Sequence, residues 1–150
     1  MPKRVILIAA VTVDGYIARH KLEVTNWSKD LHIFKEQTMG YPVIMGSNTH
    51  RTLSGGLGGR ESIVVNRHDE PQLILNNISA EKCFVIGGGR TYLRFIKNLT
   101  HLYVTPHPYI FGGGIHLFHG KDNTQLKLQF KKLVEIDSVN GIFQYQYKVK

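Results

Sequence analysis

Short, almost uninterrupted apolar runs recur along this chain, and each is followed by a turn or a helical pattern. A continuous apolar run is typical of a strand covered on both faces, as in a parallel sheet flanked by helices. The runs are RVILIAAV at 4–11, YPVIMG at 41–46, ESIVVN at 61–66, KCFVIGG at 82–88 and HLYVTP at 101–106. Helical patterns at about 28–39, 48–53 and 90–98 lie between them. The alternation predicts an α/β fold with a mostly parallel central sheet flanked by helices.

The C-terminal segment has a different pattern. Asn140-Gly141 separates KLVEIDSV at 132–139 from IFQYQYKV at 142–149. Asn-Gly between two alternating runs is a strong hairpin signal, so we expect an antiparallel C-terminal hairpin. One face of its second strand would carry Phe143, Tyr145, Tyr147 and Val149. No repeat, low-complexity segment or linker is present, and residues 1–150 are expected to form one domain.

Composition excludes several classes of protein and leaves the ligand open. Hydrophobic residues make up 42% and charged residues 20% of the chain, which is ordinary for a globular protein. The net charge of +8 favours anionic ligands, but the basic residues are dispersed and form no basic tail. Cys83 is the single cysteine, which excludes an internal disulfide. The longest apolar run is too short to cross a bilayer, so we expect a cytoplasmic protein without a membrane partner.

Two strand ends have the composition of phosphate-binding turns. In VIGGGRTY an apolar strand ends in Gly87, Gly88 and Gly89, and a helical pattern follows at once. Glycine lets a backbone approach a ligand closely, and a helix start offers unpaired N–H groups. VIMGSNTHRTL repeats the arrangement after Gly46. A further glycine cluster, FGGGIHLF at 111–118, has no helical pattern after it and is predicted to be plain loop.

Isolated polar residues supply weaker signals. Arg67 follows the third strand and could hold a phosphate bidentately, and Arg60 after the glycine-rich stretch 54–60 could hold a carboxylate. His116 and His119 are three apart, but no Asp, Glu or Cys close to them completes a metal site, so no metal is expected. A serine hydrolase is unsupported because no G-x-S-x-G elbow occurs.

Asp30 is an unusual residue in its predicted helix. On a helix it shares a face with Trp27 and Phe34, and Leu31 lies beside that face. The ordinary explanation is that an aspartate in the first turn complements the helix dipole behind a Ser28 N-cap. The alternative is a carboxylate placed in an apolar pocket for a chemical purpose, and the segment alone leaves both open.

Taken together, these stretches resemble the dihydrofolate reductase family in order and spacing. The matching segments are LIAAVTVDGYIA, WSKDLHIFKEQT, PVIMGSNTHRTL, GGR, FVIGGGRTY and LYVTPHPYIFGGGIHLF. The resemblance implies a dihydrofolate reductase-like fold and NADPH-dependent reduction of 7,8-dihydrofolate, with hydride passing to carbon 6 of the pterin while nitrogen 5 gains a proton. It implies a monomer or homodimer with a small-molecule substrate and no nucleic-acid partner.

The resemblance also implies roles for individual residues. Asp30 would be the catalytic acid that binds the pterin, supported by Thr105, and Arg60 would hold the folate α-carboxylate. The substrate pocket would further include Ala10, Leu31, Phe34, Thr49, Leu57 and Ile86. The cofactor would be held by Ala10, Ile17, Gly46, Ser47, Asn48, Thr49, Asn66, Arg67, Ile86, Gly87, Gly88, Gly89, Arg90, Thr91 and Tyr92. Ser47 stands where many members have an arginine for the 2′-phosphate of NADPH, and Arg67 is the candidate replacement.

Two alternative functions stay open at this point. Reductases of the riboflavin pathway share the fold and act on ribosylaminopyrimidine phosphates, and VTVDGYIA is similar to a segment of that group. The arrangement of Asp30, Phe34, Leu57 and Arg60 favours folate. A nucleic-acid-binding module would explain the charge but leaves the ordered motifs unexplained.

Overall fold

A seven-stranded sheet is the centre of the computed structural model, which describes residues 1–53 and 56–150. The strand order is β4-β3-β5-β1-β6-β9-β8. The strands of this sheet are β1 Arg4–Thr12, β3 Val43–Gly46, β4 Ser62–Val65, β5 Lys82–Gly87, β6 His101–His107, β8 Leu128–Asp137 and β9 Ile142–Val149. β1 pairs in parallel with β5 and β6, and β3 with β4 and β5. β9 is antiparallel to β6 and β8. The predicted mostly parallel sheet with an antiparallel C-terminal end is confirmed.

Apolar side chains of β1 alternate between two hydrophobic clusters, one on each face of the sheet. Val5 and Leu7 pack into the larger cluster with Phe95, whereas Ile6 and Ile8 pack into the smaller one. All four are at most 4% exposed. A strand covered on both faces has no polar face, which explains the continuous apolar run in its sequence.

Two of the three predicted helices, those at about 28–39 and 90–98, are shorter than the sequence predicts, and the predicted turn at 48–53 is present one residue earlier. They are α1 Leu31–Thr38, α2 Ser47–Thr52, α3 Pro71–Asn76 and α4 Gly89–Arg94. The prediction of one helix over 90–98 is wrong in detail, since α4 ends at Arg94 and a 3₁₀ turn, Ile96–Asn98, follows. α3 was not predicted, although a proline at the first helical position is a recognised start signal.

The C-terminal hairpin is present with a wider turn than predicted. A 3₁₀ turn, Ser138–Asn140, joins β8 to β9 with Gly141 in the left-handed region at φ 72°. The Asp137 carboxylate accepts hydrogen bonds from the backbone and side-chain N–H groups of Asn140, which closes the turn.

Gln144, on the polar face of β9, is 1% exposed and exchanges two amide hydrogen bonds with Gln37 of α1 at 2.7 and 2.9 Å.

The prediction of plain loop over 111–118 is wrong. Ile115–His116 forms strand β7, which pairs antiparallel with β2, Tyr16–Ala18. These strands make a second, two-stranded sheet that ties the segment after β1 to the segment after β6. The first two residues of the predicted glycine-rich stretch, 54 and 55, lie outside the described residues. Among the described helices, none has the length and apolar content that a membrane crossing requires.

Candidate functional site

Asp30 lies at the N-cap position of α1, not inside a longer helix, so the prediction of a helix from Ser28 is wrong. The first helical hydrogen bond runs from the Phe34 N–H to the Asp30 carbonyl at 2.9 Å. One residue earlier, the Lys29 N–H donates to Nε2 of His107 at 2.9 Å. Because Lys29 is held by a side chain from β6, the chain before Asp30 approaches the sheet instead of continuing the helix. The Asp30 side chain makes no capping hydrogen bond.

Asp30 and two aromatic residues close to it in sequence are buried or partly buried. Asp30 is 7% exposed and Trp27 is 8% exposed, and Phe34 packs on the smaller core cluster. None of the hydrogen bonds between described residues reaches the Asp30 carboxylate. Leu31 differs from Phe34, because 58% of it is exposed. Asp30 is thus a largely buried acidic residue whose side chain does not cap the helix, so a capping role does not explain it.

Tyr92 links the Asp30 region to the glycine turn. Its hydroxyl donates to the Ile8 carbonyl at 2.6 Å. Burial raises the pKa of Tyr92, and the nearby Asp30 charge raises that pKa further. The phenol therefore stays neutral and acts as a fixed hydrogen-bond donor between β1 and α4.

Two buried polar atoms near this region have no hydrogen-bond partner in the described part of the protein. They are Oγ1 of Thr105 and Nε1 of Trp27. Thr105 is fully buried and pairs in register with Ala10 of the neighbouring strand. The predicted support of Asp30 by Thr105 does not take the form of a hydrogen bond here. Because unsatisfied buried polar groups are rare, both atoms indicate a site that a ligand or water completes.

Predicted substrate-pocket residues meet in the smaller core cluster. Phe34 of α1, Leu57 and Ile86 of β5 are partly buried and pack against it, together with Leu53. They come from three separate segments, which the fold brings to one face of the sheet. The cluster gives a partly open apolar wall suited to a flat aromatic ligand.

Arg60 is held beside this wall. Its Nη1 donates to Thr38 Oγ1 and its Nε donates to the Gly58 carbonyl, both at 3.2 Å. The guanidinium carbon lies 6.0 Å from the centre of the Phe34 ring. No described acidic side chain pairs with Arg60. An oriented guanidinium without a carboxylate partner can bind an anionic ligand group.

The predicted phosphate-binding turns lie side by side because β3 and β5 are neighbouring parallel strands. Gly87 has φ 129°, a conformation that favours glycine. A Cβ at Gly46 would lie 2.7 Å from Oγ1 of Thr91, so a larger residue would force the Thr91 side chain to shift. Thr49 of α2 lies against Gly87 and Gly88. The two helix starts therefore offer unpaired N–H groups at neighbouring strand ends, an arrangement that suits a pyrophosphate.

The loop after β4 has a fixed conformation that presents Arg67. The Asp69 carboxylate accepts the Asn66 N–H at 2.7 Å. Arg94 of α4 donates to the carbonyl oxygens of Asn66 and Asp69. Arg67 is exposed between these anchored residues. The structure therefore brings Asn66 and Arg67 to the same side of the sheet as α4.

The segment after β1 is held by hydrogen bonds to the segment after β6. The Asp14 carboxylate accepts hydrogen bonds from the Thr12 hydroxyl and from the N–H groups of Phe111 and Gly112. These bonds, led by that from Thr12, lower the pKa of Asp14. Ile17 packs against the larger core cluster. The bonds and the β2–β7 pairing hold residues 12–18 and 111–116 together.

Predicted cofactor residues differ in accessibility. Ser47 and Arg90 are exposed, Asn48 is half-buried, and Thr91 is buried behind Gly46. The buried Gly89 accepts the His119 N–H at 3.1 Å through its carbonyl, so part of its role is packing.

Sequence reasoning missed His107 and the anchoring role of Arg94. His107 follows Thr105 by two residues, and on a strand that spacing places both side chains on one face. This two-residue spacing was the signal available in the sequence. It could not reveal the partner of His107, because Lys29 lies 78 residues away.

Comparisons with known proteins agree on one family. The family model described as dihydrofolate reductase matches residues 4–146. Dihydrofolate reductase type 3 of Salmonella typhimurium is 31% identical over 111 residues, covering 66% of this chain and 68% of that protein.

Two solved structures share the fold across almost the whole chain. Dihydrofolate reductase from Enterococcus faecalis, complexed with NADP(H) and RAB-propyl, has a TM-score of 0.76 at 19% identity, with 98% of this chain and 96% of that chain covered. A putative riboflavin biosynthesis protein from Shewanella has a TM-score of 0.63 at 20% identity, with 98% and 99% covered. At these identities the structural likeness concerns the fold alone.

Proposed function

The chain belongs to the dihydrofolate reductase family, whose members are NADPH-dependent oxidoreductases, and we propose that Asp30 and the cleft around it carry the reduction of 7,8-dihydrofolate to tetrahydrofolate. The observation that carries the proposal is Asp30 itself, a largely buried residue whose carboxylate has no hydrogen-bond partner among the described residues. A pterin supplies what this carboxylate lacks. Its ring nitrogen and exocyclic amine are donors that pair with both oxygens of one carboxylate.

Further polar atoms of the chain would complete the recognition of the pterin. Oγ1 of Thr105 and Nε1 of Trp27 are buried without hydrogen-bond partners among the described residues, and a polar heterocycle or a water held beside it offers partners to both. The ring faces would pack on the apolar wall that includes Phe34, Leu57 and Ile86.

The described residues fit NADPH. Glycines at the ends of β3 and β5 leave room for backbone approach, and the unpaired N–H groups at the starts of α2 and α4 suit the pyrophosphate. Arg67, on its anchored loop, suits the 2′-phosphate in place of the arginine that Ser47 replaces. When bound, NADPH supplies the hydride.

In this mechanism Asp30 favours protonation of the pterin. A buried anion stabilises a positive charge on the pterin far more than an exposed one would, since little solvent screens it. Protonation at nitrogen 5 makes carbon 6 electrophilic, and water is the proton carrier we propose. Arg60, oriented by Thr38 and Gly58, holds the α-carboxylate of the folate tail.

The test replaces Asp30 by asparagine, which keeps the shape of the side chain and removes its charge. We expect kcat for dihydrofolate to fall by about 100-fold at pH 7, the size typical of a lost proton-transfer function. In acid, where the substrate protonates without help, part of the loss should be recovered. Near-normal turnover of the variant at pH 7 would refute the role of Asp30.

A second assay distinguishes the proposed reduction of dihydrofolate from the alternative, reduction of a riboflavin-pathway substrate. NADPH oxidation is followed with dihydrofolate and, separately, with a ribosylaminopyrimidine phosphate. Turnover of only the second substrate would overturn the proposal. A single domain, a monomeric or homodimeric state, a cytoplasmic location and the absence of a nucleic-acid partner stay predictions.

A further inference from the structure

His107 is the largest buried polar side chain that the proposed mechanism does not use. It lies at the end of β6 and is 1% exposed. Its ring packs edge-on against Trp27, with ring centres 5.3 Å apart. Burying an imidazole so completely requires that both ring nitrogens be satisfied, and the structure satisfies both with backbone groups.

The two partners fix the tautomer of His107. Nδ1 lies 2.9 Å from the Thr105 carbonyl, which can only accept, so Nδ1 carries the proton. Nε2 lies 2.9 Å from the Lys29 backbone nitrogen, which can only donate, so Nε2 is the bare acceptor. The ring is therefore neutral and acts as a rigid bridge from β6 to the chain segment that leads into α1.

This bridge ends one residue before Asp30. On the other side of Asp30, its carbonyl accepts the first helical hydrogen bond from Phe34. The carboxylate itself has no hydrogen bond from a described residue. Its position is therefore set by the backbone anchors on either side of it, and the anchor before it is His107.

We propose that His107 is a positioning residue, which holds Asp30 in place for the pterin through the Lys29 N–H. This inference rests on the proposed function of Asp30. A displacement of about 1 Å of a catalytic group can cost about 100-fold in rate, so loss of the Lys29 anchor should be visible in kinetics.

Two variants of His107 test its two hydrogen bonds separately. Asparagine matches the position of Nδ1 and can donate to the Thr105 carbonyl, but it is too short to reach Lys29. Glutamine matches the position of Nε2 and can accept the Lys29 N–H. Under the proposal, His107→Asn lowers kcat/KM for dihydrofolate by about 10- to 100-fold. His107→Gln retains most of the activity, and KM for NADPH stays unchanged in both variants.

A purely structural role gives a different pattern. Both variants would then lower the melting temperature, and the folded enzyme would keep its kcat/KM for dihydrofolate well below that temperature. His101→Asn is the matched control, since His101 is a half-buried histidine of the same strand whose ring bonds, among the described residues, to its neighbour Thr100 alone. Its kcat/KM should equal that of the wild type.

A double-mutant cycle with Asp30→Asn identifies the residue through which His107 acts. If His107 works through the Asp30 carboxylate, His107→Asn should cost less than threefold in kcat/KM once Asp30 is asparagine. Equal losses in both backgrounds would overturn the proposal. His107→Leu, which fills much of the space without a hydrogen-bond acceptor, replaces His107→Asn if the latter does not fold. Wild-type protein is assayed in parallel to separate the two proposals. An inactive wild type would refute dihydrofolate reduction as the function, whereas an active wild type with equally active His107 variants would refute the positioning role of His107.

Discussion

Thr105→Val should make the free protein more stable and a poorer enzyme. The Thr105 hydroxyl is fully buried and bonds to no described residue. An unsatisfied buried polar group costs about 1–3 kcal/mol, and valine replaces the hydroxyl by a methyl group of similar size. We expect the free energy of unfolding to rise by about 1–2 kcal/mol, which for a chain of this length raises the melting temperature by about 2–8 °C.

The same substitution should weaken the binding of dihydrofolate. If the substrate, or a water held by it, completes the hydrogen bonding of Thr105, valine removes about 1 kcal/mol of binding, or about fivefold in affinity. Stability is measured by thermal and urea unfolding of the ligand-free protein, and affinity by equilibrium titration with dihydrofolate in the presence of oxidised cofactor. A gain in one property against a loss in the other is the signature of a polar group kept for function.

Thr100→Val is the matched control. The Thr100 hydroxyl accepts the Val5 N–H at 2.9 Å, so its removal should destabilise the protein by about 1–3 kcal/mol and leave affinity unchanged. A fall in the melting temperature of Thr105→Val comparable to that of Thr100→Val would refute the reasoning, since it would mean that the Thr105 hydroxyl is already satisfied in the free protein.

Three further predictions concern charged side chains. Arg67→Ala should raise KM for NADPH about tenfold or more and leave KM for NADH unchanged, because only NADPH carries the 2′-phosphate; steady-state kinetics with both cofactors would expose an equal loss. Arg60→Lys should raise KM for dihydrofolate with little change in kcat, since an ammonium does not replace the guanidinium fork, and an unaltered KM would contradict the contact. Asp14→Asn should destabilise the protein at neutral pH, with the difference from wild type fading in acid. The pKa of Asp14 is lowered on folding, chiefly by the Thr12 hydroxyl, so its contribution is present above the unfolded pKa and is lost as the pH falls through the folded pKa; urea unfolding at several pH values measures it, and a difference independent of pH would count against it.

Local signals in the sequence determined the layout of the fold. The apolar run at 4–11 requires cover on both faces of the strand, and β1 is the centre of the sheet with strands on both sides. The Asn140-Gly141 pair marks the C-terminal hairpin, because the turn needs a left-handed residue that glycine provides. The glycines after β3 and β5 likewise mark the two adjoining turns. In each case the causes lie within a few residues, so the sequence alone expresses them.

Contacts distant in sequence decided the details of the candidate site. The start of α1 depends on His107, 78 residues away from Lys29. The pairing of β2 with β7 turns a predicted loop into a second sheet. Alternation in β9 separates an aromatic face from a polar one, yet Gln144 on the polar face is buried because Gln37 satisfies its amide.

The physical reason is that backbone conformation depends on nearby residues, whereas the hydrogen bonding of a buried polar side chain depends on residues distant in sequence. Strand and helix tendencies follow from local sterics and from the period of apolar residues, which the sequence displays directly. A buried polar group is tolerated only if a partner reaches it, and that partner comes from whichever element the fold places opposite. The sequence alone therefore determined that Asp30 has apolar neighbours in the chain and that glycines end two of the strands. Only the tertiary structure decided that His107 anchors the chain before Asp30, and that Oγ1 of Thr105 and Nε1 of Trp27 have no hydrogen-bond partner in the described part of the protein.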